Sequence, residues 1–336
     1  VDLIDLKNKE IIHQYTPDID KINSQIPKEK TKYDLTRDFN KFRYRIIHPL
    51  IDDDGGMIFN SIYSPLIKID VCSNLEWFNN EISHHSNEFD KSGNIWTPVT
   101  LSNSKFKDIR KKFIDDSINK ISPDGKTLFS KSVIEILIEN NLDYLIGDES
   151  DDPIHLNDIQ PALSDTNFWK KDDLFLSIRE LSLILLYRPS TNKVLWHQQY
   201  PWVFQHDIDI INEKEIMIFN NNLDWSKKKV KNFNEINIYN FEQDRTYKIL
   251  EENLEKLNIS TKSEGLIDKA GDYYMIEETG SGRLIILDNK KELFTFINND
   301  YENNGTYTLN WSRYYDENFK DIVSQILLKK KECISN

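Results

Sequence analysis

An internal repeat restricts the fold of this chain more than any other feature of its sequence. Each unit contains a polar residue or histidine, a turn, a buried strand, a second strand ending near an acidic residue, and a third strand. Five units can be recognised: residues 46–77, a unit that begins at residue 84 and resumes at residue 132 after an insertion, and residues 155–196, 205–241 and 263–297. We interpret each unit as one small sheet that stacks against its neighbours.

The apolar runs are short, rich in Ile, Phe, Tyr and Val, and separated by clusters of Asn, Asp, Gly and Ser, which is typical of β-strands. Residues 1–15 resemble the last half of a unit, and residues 306–315 could supply the rest. We therefore predict an all-β fold, a six-bladed β-propeller. It would form a single domain over residues 1–336, with one blade shared between N-terminal and C-terminal strands.

Helical patterns are confined to three segments, residues 104–119, 251–257 and 317–331. The last one has apolar residues at positions i, i+3, i+4, i+7 and i+8, as expected for one buried helical face. We expect small helical insertions, the first at about 104–119, and a C-terminal helix at about 317–331.

The charge excludes some classes of partner. With 43 basic and 56 acidic residues the net charge is −13, so an electrostatic grip on nucleic acid or an anionic membrane is not expected. The chain has neither an apolar run long enough to span a bilayer nor a signal-peptide pattern. Because it begins abruptly in a predicted strand, we expect a trimmed form from which a leader or anchor has been removed.

The remaining polar features predict no metal site and no cofactor. Cys72 and Cys333 could form one disulfide, but the sequence favours two unpaired thiols, because connectivity cannot be read from spacing. The acidic stretches 52–54 and 148–152 could bind Ca²⁺. They lack the spaced carboxylates of a defined calcium loop, so we interpret them as solvated turns.

Four of the seven histidines, His48, His85, His155 and His206, stand at the same point of the repeat, before its first strong strand. In a propeller this point faces one end of the central channel, so the four imidazoles are expected to converge. They could build a site there, or they could merely bond neighbouring loops and fill the channel.

Other polar residues accompany these histidines. In an extended segment His155 and Asn157 would point the same way. Arg179 lies in an otherwise apolar run and demands an anion, either a carboxylate such as Glu180 or Asp207, or a substrate. Next to His206, Asp207 or Asp209 could orient the imidazole.

The chain resembles the PAPS-independent aryl sulfate sulfotransferases in the order and context of five segments: HHSNEFDKSGNIW, HLNDIQ, FLSIREL, NKVLW and QHDIDIINEKEIMIFNN. The repeat-level similarity covers most of the chain. Members of this family are six-bladed propellers that transfer a sulfuryl group from an aryl sulfate to a phenol through a sulfated histidine. The resemblance implies that His206 is the nucleophile and that His155, Asn157 and Arg179 hold the sulfuryl oxygens. His85 matches a further channel histidine.

The resemblance also implies an aryl sulfate donor and a phenolic acceptor as partners, no cofactor, and a periplasmic or secreted location. The sequence leaves two alternatives open. One is a non-catalytic propeller that binds or scaffolds and keeps a degenerate channel site, since a fold does not determine a function. The other is a channel-centred hydrolase or lyase that uses histidine as acid or base. Donor, acceptor and oligomeric state cannot be read from the sequence.

Overall fold

The structure is a computed structural model that describes residues 1–27, 34–106, 113–147, 150–227 and 229–333 of the 336-residue chain. It opens with a hairpin of β1 (Asp2–Asp5) and β2 (Glu10–Gln14), followed by helices α1 (Ile19–Gln25) and α2 (Leu35–Asp38). Antiparallel sheets then follow one another along the chain.

The first large sheet has eight strands but consists of two halves. Its strands are β3 (Ile47–Ile51), β4 (Met57–Asn60), β5 (Ser64–Ile69), β6 (Leu75–Ser83), β7 (Glu88–Phe89), β8 (Ile95–Thr100), β9 (Asp116–Ile121) and β10 (Thr127–Ser132). The two halves are joined into one sheet where Ile82 and Ser83 of β6 pair with β8. Strands β3 to β6 therefore correspond to the first sequence unit, and β7 to β10 to the second.

Three four-stranded sheets carry the remaining internal units. They comprise β11 (Leu156–Pro161), β12 (Leu174–Ile178), β13 (Leu183–Arg188) and β14 (Lys193–Gln198); β15 (Ile208–Asn212), β16 (Glu215–Asn220), β19 (Glu235–Asn240) and β20 (Arg245–Ile249); and β21 (Leu266–Ala270), β22 (Tyr273–Glu278), β23 (Arg283–Leu287) and β24 (Glu292–Ile297). Two short hairpins are added, β17 (Leu223–Asp224) with β18 (Lys229–Val230), and β25 (Asn299–Asp300) with β26 (Gly305–Thr306).

The hydrophobic core lies between neighbouring sheets rather than in one central layer. Ile118 of β9 packs in one cluster with Leu156 and Leu174 of the next sheet, and Phe175 packs in another with Ile216 of the sheet after that. Burial of both faces explains the continuous apolar runs of the inner strands. The all-β propeller fold predicted from the sequence is confirmed, with short helices and a C-terminal helix added to it.

The helices correct two details of the sequence interpretation. Of the helix expected over 104–119, residues 107–112 lie outside the described residues, and Asp116–Ile121 is strand β9. The run after Ser132, where the second unit resumes and no helix was expected, is helix α3 (Val133–Glu139): the Ser132 side chain accepts from the backbone N–H of Glu135 and caps it. A short apolar run does not distinguish a buried helix from a buried strand.

Helices α4 (Glu251–Leu257) and α5 (Lys320–Lys330) lie within the second and third segments predicted to be helical. Short 3₁₀ turns cover Asp143–Leu145, Thr279–Ser281 and Glu317–Phe319. Within the described residues, none of the helices has the length and apolar character that a membrane span requires.

The C-terminal segment lies between the last sheet and the first. The backbone N–H of Tyr314 donates to Asp268 of β21 at 3.1 Å, and the N–H of His48 in β3 donates to the carbonyl of Asn310 at 3.1 Å. These contacts fit a ring closed by both ends of the chain. The sixth blade and its sharing between the termini stay predictions.

The two cysteines are bonded to each other, which corrects the preference for unpaired thiols. Cys72 follows β5 and Cys333 follows α5, and their Cα atoms lie 5.3 Å apart across 261 positions of sequence. The fold brings the C-terminal helix against the first sheet, where Ile326 packs with Ile69 and Val71. This proximity could not be read from the sequence.

Candidate active site

Three histidine rings, of His48, His85 and His206, lie near Trp311, and a fourth, of His155, lies beside His85. The ring of His85 lies 5.1 Å from that of His155 and 6.2 Å from that of Trp311, measured between centroids. The rings of His48 and His206 lie 5.3 and 6.4 Å from Trp311. Residues from several different units therefore share one small volume.

The backbone explains this convergence and corrects the proposed equivalence of the four histidines. His48, His85 and His155 have left-handed φ angles of 41°, 53° and 48°, and in the next unit the left-handed residue is Phe204, with φ 54°. His206 therefore stands two residues further on. It occupies the position that Asn157 holds after His155 and Asn87 holds after His85.

Both ring nitrogens of His206 are occupied. Nδ1 lies 2.6 Å from Oδ1 of Asn221, and Nε2 accepts the backbone N–H of Glu264 at 2.9 Å. Because Nε2 accepts, the hydrogen-bond pattern assigns the ring proton to Nδ1, which donates to Asn221. Burial, with the positive charge of Arg179 as the next cause, lowers the pKa of His206 well below its usual value. The ring is therefore neutral, as a nucleophilic imidazole must be.

Asn221 orients the His206 ring. The sequence suggested Asp207 or Asp209 for this role, but neither carboxylate bonds to the ring. Asp207 instead bonds to the next sheet, where its carboxylate accepts the backbone N–H of Ile267 at 2.8 Å. Asn221 was not identified from the sequence, because it follows the second strand of the unit and nothing in its spacing connects it to His206.

His155 has a carboxylate partner that the sequence analysis also missed. Its Nδ1 lies 2.6 Å from Oδ2 of Asp152, and Asp152 accepts the backbone N–H of His155 as well. The carboxylate therefore fixes the proton on Nδ1 and leaves Nε2 of His155 to the channel. The His155 side chain is about a quarter exposed, at 24%, so part of its ring can contact a ligand.

Behind His85 lies a chain of polar groups. Nδ1 of His85 is 2.7 Å from Nδ1 of His84, and Nε2 of His84 is 3.2 Å from Oδ1 of Asp116. His84 and Asp116 are almost completely buried, whereas His85 is partly exposed to the channel. The doublet at residues 84–85 was visible in the sequence, but Asp116 stood in a segment expected to be helical.

Arg179 is the cation of the site. Its backbone N–H donates to the carbonyl of His155, and its guanidinium stacks 4.9 Å from the Phe204 ring centroid. One Nη of Arg179 contacts Glu180 at 3.3 Å, so this part of the predicted ion pair is present. In the part of the chain that the structure describes, however, the buried Nε–H has no acceptor. Burial lowers the pKa of this guanidinium.

Asn157 is fully buried beside these residues. Its Nδ2 donates to the carbonyl of Gln205 at 3.0 Å. Its Oδ1 has no donor among the described residues. The amide is thus fixed at one end and open at the other.

His48 belongs to the channel wall instead. Its Nε2 lies 2.8 Å from a guanidinium nitrogen of Arg313, which pairs with Glu88 at 3.0 Å. Burial and then the charge of Arg313 lower the pKa of His48 well below its usual value. His48 therefore acts as a neutral acceptor for a buried cation.

A narrow cleft lies beside His85, and its walls combine apolar and charged side chains. It is lined by Arg45, Ile47, Ile62, His85, Glu264, Asn310 and Trp311. Among the described residues, no group of three His, Cys, Asp or Glu side chains is arranged to hold a metal ion. Asp52, in one of the acidic stretches, pairs with Lys68 at 2.7 Å and caps its own turn.

Comparison with solved structures shows the fold. A protein of unknown function from Bacteroides caccae aligns over 88% of both chains with 10% identity and a TM-score of 0.55. An inactive virginiamycin B lyase from Staphylococcus aureus with quinupristin has 11% identity, covers 75% of this chain and 70% of its own, and gives a TM-score of 0.46. At these identities the likeness extends to the fold alone.

Sequence comparison identifies the family. No curated protein sequence matches the chain. The sequence model of the arylsulfotransferase (ASST) family matches residues 55–299, which include His85, His155, Asn157, Arg179 and His206. The matched region covers well over half of the chain, and the chain therefore belongs to the arylsulfotransferase family.

Proposed function

We propose that the chain transfers a sulfuryl group from an aryl sulfate to a phenol through a sulfated His206. Membership of the family supports sulfotransferase activity in general. The observation that carries the finer proposal is Arg179, a largely buried cation whose Nε–H has no acceptor within the described residues. A guanidinium with an open N–H, held beside neutral imidazoles, suits the oxygens of a sulfuryl anion.

In the first step Nε2 of His206 attacks the sulfur, the N–S bond forms and the S–O bond to the aryl group breaks. The aryl group leaves as a phenolate. The resulting imidazolium keeps its proton on Nδ1, where Asn221 accepts it. The open Nε–H of Arg179 and the second N–H of Asn157 Nδ2 would donate to the charge on the sulfuryl oxygens. In the second step the acceptor phenol loses its proton, attacks the sulfur and releases His206.

Ile47 and Ile62 give the cleft apolar walls close to His85, which suits an aromatic substrate, although the cleft has a free volume of only about 10 Å³ and must widen to admit one. We also propose a periplasmic or secreted location. The Cys72–Cys333 disulfide supports it, since such bonds persist in oxidising compartments.

The test is incubation with 4-nitrophenyl sulfate without an acceptor, followed by intact-protein mass measurement. We expect one equivalent of 4-nitrophenolate and a mass gain of one sulfuryl group, both abolished in His206→Ala. The exposed His197 gives a matched control, and His197→Ala should be labelled like the wild type. Ping-pong kinetics should follow when a phenol is added.

The rival function is a propeller that binds without catalysis. One observation favours it: His206 is only 1% exposed and its Nε2 is occupied. If the wild type is not labelled and turns over no aryl sulfate with any phenol, the binding function replaces the enzymatic one.

A further inference from the structure

We infer that Asp116, His84 and His85 form a proton relay in which Nε2 of His85 is the base for the acceptor phenol and His84 and Asp116 are positioning residues. This inference rests on the proposed sulfuryl transfer. It assigns the proton that the second step must remove, and it gives roles to two buried residues that the sequence did not single out.

The direction of the relay follows from hydrogen-bond chemistry. The first link joins Asp116 to His84 Nε2 at 3.2 Å, and an ionised carboxylate can only accept. His84 therefore carries its proton on Nε2, and its Nδ1 is bare while the ring is neutral. The second link joins the two Nδ1 atoms at 2.7 Å. His85 must then donate from Nδ1, which leaves the lone pair on its Nε2.

Asp116 is suited to anchor such a chain. Besides His84 it accepts the backbone N–H of Leu156 at 2.9 Å and the hydroxyl of Thr100 at 3.3 Å, so its orientation is fixed. Burial alone would raise the pKa of Asp116, but the His84 ring and the hydrogen bonds from His84 and Leu156 bring it below the usual value. The carboxylate is therefore ionised at neutral pH.

His85 is in the position to meet the acceptor. It is the histidine that lines the cleft, whereas His84 is only 1% exposed. The charged and titratable groups near its ring include His84, His155, His206 and Arg179, and Arg45 and Glu264 line the same cleft. Burial and then these three histidines and Arg179 lower the pKa of His85, so the free protein holds it neutral. A bound sulfuryl anion would offset the charge of Arg179 and make Nε2 more basic.

The transfer balances. The phenol O–H bond breaks and its proton goes to Nε2 of His85, while the Nδ1 proton of His85 passes to Nδ1 of His84. The phenol oxygen bonds to sulfur as the N–S bond at His206 breaks, and the electron pair of that bond returns to His206. His84 becomes an imidazolium opposite the Asp116 carboxylate, and it later returns the proton to solvent through His85.

The test compares acceptors that do and do not need a base. The variants are His84→Phe and Asp116→Asn, with His13→Phe, a buried histidine bonded to the carbonyl of Val71, as control. Thermal melting checks that each variant folds. With plain phenol we expect the acceptor-dependent step to fall by about 10²-fold, the lower end of the range for a positioned base. With pentafluorophenol, which is already ionised at pH 8 and needs no base, the rate of the same step should fall by less than about tenfold.

The first step should be nearly unaffected with 4-nitrophenyl sulfate, because its phenolate leaves without a proton. His84→Asn keeps an acceptor near the place of Nδ1 and should recover part of the rate with phenol. Equal losses with both acceptors, or no loss with phenol, would overturn the relay.

Nitrogen-15 NMR of labelled histidines gives a readout that does not depend on turnover. We expect His85 protonated at Nδ1 and bare at Nε2 in the wild type at neutral pH, and this signature should be lost in His84→Phe. The opposite tautomer would refute the relay even in an active enzyme. If instead the wild type shows no sulfuryl transfer but has this tautomer, the proposed function fails while the hydrogen-bonded chain stands.

Discussion

The backbone N–H of Glu264 lies 2.9 Å from Nε2 of His206 and donates to it, so the atom proposed to carry the sulfuryl group is occupied in the resting chain. Asn221 connects both sides of this contact, because it binds His206 through Oδ1 and the Glu264 carbonyl through Nδ2. Glu264 has a left-handed φ of 61°, which costs free energy for a residue with a side chain. The segment around Glu264 must move before His206 can react.

An ion pair holds this segment closed, and we predict that weakening it speeds the first step. Arg45 contacts the Glu264 carboxylate at 2.8 Å across the cleft. A partly exposed pair of this kind contributes about 0.2–1 kcal/mol. Arg45→Met should therefore raise the rate of 4-nitrophenolate release by up to about fivefold.

The control is Arg37→Met, which removes an arginine paired with Asp38 on the surface and should change nothing. A slower first step in Arg45→Met would show that Arg45 holds the substrate rather than the closed segment.

Removing Arg179 should slow sulfuryl transfer without unfolding the protein. We expect Arg179→Ala to lose about 10²–10³-fold in rate, the usual scale for one preorganised donor. Arg188, a second arginine from the same sheet, pairs with Asp173 at 2.6 Å and provides the matched variant. Arg188→Ala should keep the wild-type rate. Equal effects of the two substitutions, measured as 4-nitrophenolate release, would remove Arg179 from the site.

Reduction of the disulfide should destabilise the fold and spare the chemistry. The bond fastens the C-terminal helix to the first sheet, and removing a disulfide of this kind costs about 2–5 kcal/mol of unfolding free energy. Reduced wild type and the Cys72→Ser/Cys333→Ser variant should melt at the same lowered temperature, and each should retain wild-type turnover while folded. A reductant that also lowers the melting temperature of the double variant would contradict this explanation.

The sequence predicted the sheets because their signal is local. The run Leu174–Ile178 is apolar except for Ser177 and bounded by turn residues, and it forms strand β12 with every side chain buried. His48, His85 and His155 share a left-handed φ at the same turn of three successive units, which is a local feature of each unit. In both cases the physical cause lies within a few residues of its effect.

The rest of the site depends on contacts between distant units. Glu264 reaches His206 across 58 positions, and Asp116 reaches His84 across 32. The sequence analysis also missed the helix after Ser132 and the Cys72–Cys333 bond. A short apolar run is ambiguous in isolation, and the bond depends on where α5 packs.

The buried carboxylates around the channel lead to a prediction for the stability of the fold. Asp158 accepts the backbone N–H of Ile208 in the neighbouring sheet at 3.0 Å, and it is only 1% exposed. Burial, followed by the nearby charge of Glu88, raises its pKa to about 7. The same causes raise the pKa of Asp207, with Asp158 as its charged neighbour.

A carboxylate whose pKa is raised in the folded state makes the free energy of unfolding depend on pH in one direction. The folded chain then binds more protons than the unfolded chain, so the free energy of unfolding falls as pH rises from the usual aspartate pKa through the folded value. The buried histidines act oppositely. Burial lowers the pKa of His48 and His206, which costs stability only below their unfolded value of about 6.5. The effect of the carboxylates is therefore isolated above this pH.

Between pH 6.5 and 8.5 we expect the melting temperature of the wild type to fall and that of Asp158→Asn to fall less. The asparagine keeps an oxygen that accepts from Ile208 but cannot ionise. Asp165→Asn, at an exposed carboxylate, should leave the wild-type slope unchanged. Because burial also raises the pKa values of Asp207 and Asp209 well above the usual aspartate value, part of the slope should remain in Asp158→Asn. If all three proteins lose stability equally over this range, ionisation of Asp158 is not its cause.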